Sequence, residues 1–254
     1  VTFAGKDAPV KDGAVAINLR GGGLLRAHSV TIEGGTLRAD TQAFGMRTLD
    51  PSKVEVIDLA AGRGTAGEGF IRTWLALPPF PLGEAGSKHV EASQKPLFDK
   101  EYFPGQFRAR PRPGDAVEVT GEGEKKARTL TWSKVTCKVP WQFKQVDNSM
   151  YLAVTYIRCD DEIDGVTLSI GSDDSSLWRL NGEEVIRAYV GRGVKPDQST
   201  SEPLTLRKGV NVLSAAVING WGGAGLCARF FDDDGTPFTE FTVEMPEPRD
   251  KPNA

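Results

Sequence analysis

Short runs of alternating apolar residues, separated by Gly, Pro, Asn and Asp, set the rhythm of this chain from residue 14 onward. "GVTLSI" puts Val166, Leu168 and Ile170 on one side of an extended strand and Thr167 and Ser169 on the other. "ARTLTWSKVTCKV" sets Leu130 and Trp132 in the same alternation, and "SMYLAVTYIRC" reads as a buried strand. "LWRL" and "EVIRAYV" flank Asn181-Gly182. That dipeptide predicts a hairpin, because both residues of its turn need positive φ. "EPLTLRKGVNVLSAAVI" predicts two further strands around Lys208-Gly209, and "GLCARFFD" and "FTEFTVEM" close the series. No segment keeps a 3.6-residue apolar period over three turns, so the chain reads as all-β.

The same pattern divides the chain. Residues 14–59 form a string of short strands punctuated by Gly21-Gly22-Gly23 and Gly34-Gly35. This spacing predicts a small β-meander or barrel over 1–62, similar in pattern to SH3- or Sm-like barrels. "AAGRGTAGEG" (60–69) reads as a linker, 68–245 as a larger β domain, and "PEPRDKPNA" (246–254) as a polar, Pro-rich tail. The linker contains Gly62-Arg63-Gly64-Thr65-Ala66-Gly67, which matches a dinucleotide fingerprint. That fingerprint needs a helix opening at its glycines to hold the pyrophosphate. "FIRTWLALPPFPLG" follows instead, a strand running into Pro78, Pro79 and Pro81, and the nucleotide reading falls.

Composition adds limits. With 254 residues the chain can bury a substantial core, and 29 Gly with 16 Pro fit many turns between short strands. A net charge of −3 argues against a nucleic-acid partner. The charge is uneven: residues 151–254 hold 10 basic and 17 acidic side chains, residues 1–150 hold 21 and 17. The carboxylates of the second part gather in "CDDEIDG", "GSDDSS" and "FDDDG" (159–165, 171–176, 231–235). Each cluster is either a solvated turn or a contributor to a calcium site, since calcium takes six to eight oxygens. The basic stretches at 108–112 and 125–128 are interleaved with Pro and Glu and read as solvated loops. Cys137, Cys159 and Cys227 offer at most one disulfide and no zinc motif. No apolar run is long enough to span a membrane as a helix. The opening "VTFAGKDAPV" lacks an initiator Met and a secretory signal, as expected of a processed chain or a piece of a longer one.

Catalytic patterns are sparse. Only His28 and His89 are present, with no G-x-S-x-G elbow and no H-E-x-x-H. Two carboxylates flanking a glycosidic bond would need a separation that sequence does not supply. The chain therefore reads as non-enzymatic.

"TWLALPPFPL" (73–82), "YLAVTYIRC" (151–159), "LSIGSDDSSLWRLNGEEV" (168–185), "LTLRKGVNVLSAAVIN" (204–219) and "GLCARFFDDDGTPF" (225–238) together resemble a β-sandwich module of large extracellular bacterial proteins. The module is similar to galactose-binding-like jelly rolls and to PA14 domains. The resemblance covers about 68–245. It implies a jelly roll, an extracellular or cell-surface location, and either carbohydrate recognition or a structural spacer role. In sugar-binding PA14 adhesins, paired aspartates hold a calcium that in turn holds sugar hydroxyls. Asp173 and Asp174 match that pair, which makes calcium the implied cofactor and these two residues its implied ligands. Asn219, or a carboxylate from 232–234, is expected to add oxygens if the loops share one end.

A sugar site also wants an aromatic face with a few placed polar groups. Trp74, Trp132 and Trp178 sit in alternating strands and read as core, and Trp141 is ambiguous. Trp221 lies in "INGWGGAG" with no periodic partner, and is either a stacking platform or a lid over the core edge. Arg187, Tyr189 and Arg192 follow the hairpin and are candidates to lie nearby. The expected ligand set is Trp221, Asn219, Asp173, Asp174, Arg187 and Tyr189. The expected partner is a polysaccharide or glycan. The rival is another protein domain, with the chain a structural or interaction module without a small-molecule ligand.

Overall fold

A computed structural model describes residues 15–20, 24–41, 45–58 and 69–249. The triple glycine at 21–23, the linker through residue 68 with its glycine motif, and the tail beyond residue 249 lie outside the described residues. The chain divides into two compact units, Val1–Glu68 and Gly69–Ala254.

The first unit is one antiparallel sheet of β1 (Val15–Leu19), β2 (Leu24–Glu33), β3 (Thr36–Thr41), β4 (Gly45–Leu49) and β5 (Val54–Asp58). Its order is β4-β3-β2-β1-β5. Its core includes Ile17, the alternate residues Leu37 and Ala39 of β3, and Val54 and Ile57 of β5.

The second unit opens with β6 (Thr73–Ala76) and β7 (Phe80–Pro81), then a helix, α1 (Glu91–Asp99). The short strands β8 (Ala116–Val119), β9 (Arg128–Thr131), β10 (Ser133–Thr136) and β11 (Trp141–Gln142) follow. The long strands are β12 (Ser149–Cys159) and β13 (Ile163–Asp173), then the hairpin β14 (Ser175–Leu180) and β15 (Glu183–Ala188). The unit ends with β16 (Ser199–Thr200), β17 (Leu204–Leu206), β18 (Gly209–Asn219), β19 (Gly225–Phe231), β20 (Pro237–Phe238) and β21 (Thr242–Val243).

The main sheet runs β10-β6-β12-β18-β14-β15, with β7 and β21 also on β12. The second sheet runs β11-β19-β13-β16, with β17 on β13 and β20 on β19. Their inner faces meet in a core containing Trp74, Ile157, Leu168, Ile170, Trp178, Leu213 and Phe230. This all-β sandwich is the architecture expected from the alternation. On the other face of the main sheet, residues 82–132 form a third layer. Leu97 and Phe98 of α1, with Tyr102, Phe103 and Trp132, cover Leu152, Val154, Val212 and Ile218 there. Covering both faces of β12 explains why "SMYLAVTYIRC" is apolar almost throughout, while β13 still alternates. Trp74, Trp132 and Trp178 are buried. The hairpin turns at Asn181 (φ 54°) and Gly182 (φ 88°), both left-handed as its two-residue loop requires.

Candidate acidic corner at one end of the sandwich

β13 stays paired with β19 to its last residue, Asp173 opposite Gly225. The chain then leaves the second sheet and enters the main sheet as β14, where Ser175 pairs with Ile218. Asp173 and Asp174 form the corner between the two sheets, and the peptide bond joining them is cis. The Asp174 backbone N–H donates to the Ile218 carbonyl (3.2 Å), fixing the corner to the end of β18.

Asp174 is buried, and backbone donors meet both carboxylate oxygens. Oδ1 accepts from the Arg192 N–H (2.8 Å) and Oδ2 from the Gly220 N–H (3.0 Å). His89 Nε2 lies 3.4 Å from Oδ2, and its Nδ1 lies 3.3 Å from Ser175 Oγ. Three separate loops therefore converge on one carboxylate: 82–90, 189–198 and 220–224. Close approach is possible because glycines face the site. A Cβ on Gly220 would stand 2.7 Å from His89 Nε2, and one on Gly191 2.9 Å from His89 Cδ2. Arg192 secures its own loop, with Nη2 donating to Ser172 Oγ (3.1 Å) and Ser199 Oγ (3.2 Å).

Asp173 is placed differently. Its Oδ2 would stand 2.8 Å from a Cβ on Gly223, so the carboxylate lies against the loop that carries Trp221. Burial first, and the neighbouring Asp174 carboxylate second, push its pKa above the ordinary carboxylate value. The Val194 N–H and His89 pull weakly the other way. Asn219, on the last residue of β18, is fully buried. Its Nδ2 donates to the Val146 carbonyl (3.0 Å), while its Oδ1 has no donor among the described residues. Asn148, whose N–H donates to the Gly220 carbonyl (2.9 Å), likewise has a buried Oδ1 without a donor. Trp221 is 73% exposed.

The residues present fit a hard cation. Asp173 and Asp174 are adjacent carboxylates, the first destabilised as an anion by burial and like charge, and Asn219, one residue before the Gly220 that donates to Asp174, carries a buried amide oxygen without a donor among the described residues. Asp173, Asp174 and Asn219 are the side chains that could hold it. The acidic turn at 232–234 cannot join them. β19 runs from Gly225 beside Asp173 to Phe231, seven residues or roughly 20 Å away at the strand rise. Among the described residues, Asp232, Asp233 and Asp234 are the group of three His, Cys, Asp or Glu side chains whose ligand atoms converge within 4.8 Å. Asp232 Oδ1 there accepts the N–H groups of Asp234 and Thr236, as in an ordinary Asp-capped turn.

Of the other expected ligand residues, Arg187 and Tyr189 have partners of their own. Arg187 Nη2 donates to Glu184 Oε2 (2.5 Å) and Asp99 Oδ1 (2.8 Å), and its Nη1 to Tyr189 Oη (3.0 Å). The Tyr189 ring packs at 6.1 Å from Phe98. Both residues thus anchor α1 to the hairpin. Sequence reasoning did not assign His89 to the site. It stands 85 residues before Asp174, and its only local signal is being one of two histidines, placed in a loop.

Comparison with family models and with curated proteins gives no match. Solved structures do match. A PA14 sugar-binding domain from an RTX adhesin is 15% identical, with a TM-score of 0.36 over 68% of this chain and 96% of that one. The epithelial adhesin 9 A domain from Candida glabrata, in complex with Galβ1-4GlcNAc, is 12% identical, with a TM-score of 0.36 over 72% and 94%. A β-glucosidase from Kluyveromyces marxianus, in complex with glucose, is 22% identical, with a TM-score of 0.31 over 48% of this chain and 16% of that one.

Proposed function

We propose that the second unit is a non-catalytic carbohydrate-binding module, acting outside the cell or at its surface, with its site at the acidic corner. The observation that carries this reading is the loop 219–223. Gly220 donates to Asp174, Gly223 lies against Asp173, and Trp221 between them is left 73% exposed. An exposed aromatic side chain carried on the loop that touches both carboxylates offers the two kinds of contact a pyranose needs, a stacking surface and a polar anchor. In this reading Asp173, Asp174 and Asn219 hold calcium, which supplies a fixed cation for sugar hydroxyls. The chain's own part is to hold the corner rigid through Asp174 and to present Trp221. Among the described residues no helix is long and apolar enough to cross a membrane.

The test is a glycan array with and without calcium, together with Trp221→Ala. Calcium-dependent binding is expected, lost in Trp221→Ala with the melting temperature unchanged. A flat array in both conditions would instead favour a structural or interaction module. A Trp221→Ala protein that melts early would make Trp221 a lid over the core edge.

A further inference from the structure

Well away from the acidic corner in the chain, residues 106–110 cross the outer face of the main sheet beside the β14–β15 turn. Arg179 on β14 and Ser214 on β18 are cross-strand partners on that face. The Arg179 guanidinium lies over the Phe107 ring, 4.0 Å from its centre. Arg108 lies across the hairpin turn, its Cγ 2.8 Å from where a Cβ on Gly182 would stand. Between them is a recess of about 130 Å³, lined by Arg108, Arg110, Asn181 and Ser214 among others. An adjoining pocket of about 20 Å³ reaches Arg179 and Gln106 and shares Phe107 and Ser214 with it. The recess is well above the roughly 10–15 Å³ that one water needs.

Its polar groups are almost all donors. Among the described residues no acceptor from the chain bonds the Arg179 guanidinium or the Ser214 hydroxyl. Gln106 uses its Oε1 on the Tyr102 N–H, which leaves its Nε2 as a further donor. Asn181 accepts the Val212 N–H at its Oδ1 and gives one of its two Nδ2 N–H groups to Asn211 Oδ1, so its acceptor does not compete. The nearest carboxylates are committed elsewhere. Glu184 and Asp99 pair with Arg187, and Glu101 accepts the N–H groups of Gly105 and Phe107. Burial pulls the pKa of Arg179 below its ordinary value, while the Glu184, Asp99 and Glu101 carboxylates oppose the shift.

We infer that this recess is an oxyanion site, in which Ser214, Arg108 and Arg110 of its lining meet a carboxylate or sulfate group while Arg179, in the adjoining pocket, adds positive charge from behind. Planar guanidinium donors match such groups, and charged hydrogen bonds in a partly desolvated recess are the strong ones. The site shares no residue with the acidic corner, so either can fail alone.

Calorimetric titration of the full chain with sodium sulfate, with glucuronate and with glucose tests it. Sulfate and glucuronate are expected to bind and glucose to give no heat here. Arg108→Ala and Ser214→Ala should each weaken the anions about tenfold, the usual loss for a charged hydrogen bond. Arg179→Gln should weaken them severalfold, with all titrations run in EGTA so that the acidic corner takes no part through calcium. Tighter binding of glucuronate than of sulfate identifies the acid group of a saccharide as the source. The reverse order identifies a free inorganic ion. Ser214→Ala removes one hydroxyl and keeps the test valid if Arg179→Gln does not fold. No heat from either anion, or binding undiminished in Ser214→Ala, overturns the inference.

Discussion

Asp173 and Asp174 are neighbours of one chemical type with opposite consequences for the fold. Asp174 accepts two backbone N–H groups from two loops, so its charge is matched by donors that would otherwise be buried without partners. Asp174→Ala should cost about 1–3 kcal/mol in urea denaturation, the usual penalty for orphaning buried donors. Asp173 has its folded pKa raised, by burial and then by Asp174. Its carboxyl therefore favours the folded state only while protonated. That contribution is complete below the unfolded pKa and is lost as pH rises through the folded one, so at neutral pH the ionised group opposes folding. Asp173→Asn is accordingly expected to raise the melting temperature of the protein in EGTA and to abolish the further rise that the proposed calcium site predicts for the wild-type chain. A calcium-induced rise that persists in Asp173→Asn would remove Asp173 from the ligand set.

Among elements, the loop 189–198 shows how a strand and a loop share one surface. It lies along the second sheet so closely that a Cβ on Gly171 would fall 1.8 Å from the Lys195 carbonyl oxygen. Asp197 pins the loop there, accepting from Ser169 Oγ (2.9 Å) and pairing with the buried Arg229, whose guanidinium lies between the rings of Phe70 and Phe231. Gly171→Ala must push the loop away, at a cost of about 1–3 kcal/mol for overpacking. Because the same loop carries Arg192 to Asp174, the variant should also lower the calcium response. Unchanged stability in urea would show that the loop yields freely.

The strands and the hairpin were legible because burial of alternate faces writes a period of two into sequence. Helix α1 was not. It buries only Gln94, Leu97 and Phe98, and Pro96 interrupts its nine residues, so no 3.6 period develops. At the corner, the acidic pair and the Gly-rich loop could be picked out one by one. Their meeting depends on β13 and β18 ending at the same edge, and His89 enters from a distant loop, neither of which is a local property of the chain.

For the whole molecule, the two units have separate cores, and in the second unit the main sheet is covered on both faces. Three tyrosines lie in these covered regions. Tyr156 Oη donates to the Pro111 carbonyl (2.6 Å) and so ties the third layer to β12. Tyr151 Oη donates to the Lys144 carbonyl (2.8 Å), and the Tyr102 hydroxyl is buried without a partner among the described residues. Burial raises all three pKa values, that of Tyr156 to about 12. The folded state then holds these protons at a pH where the unfolded chain has released them, so stability must fall as pH rises from about 10. Urea midpoints are expected to be level near pH 8 and to drop steeply toward pH 11, with tyrosinate absorbance appearing together with unfolding rather than before it. Tyr156→Phe should be less stable at neutral pH, having lost one hydrogen bond, yet show a shallower alkaline decline. Tyrosinate forming in the folded protein, with no change in the urea midpoint, would show that the third layer opens to water without the sandwich unfolding.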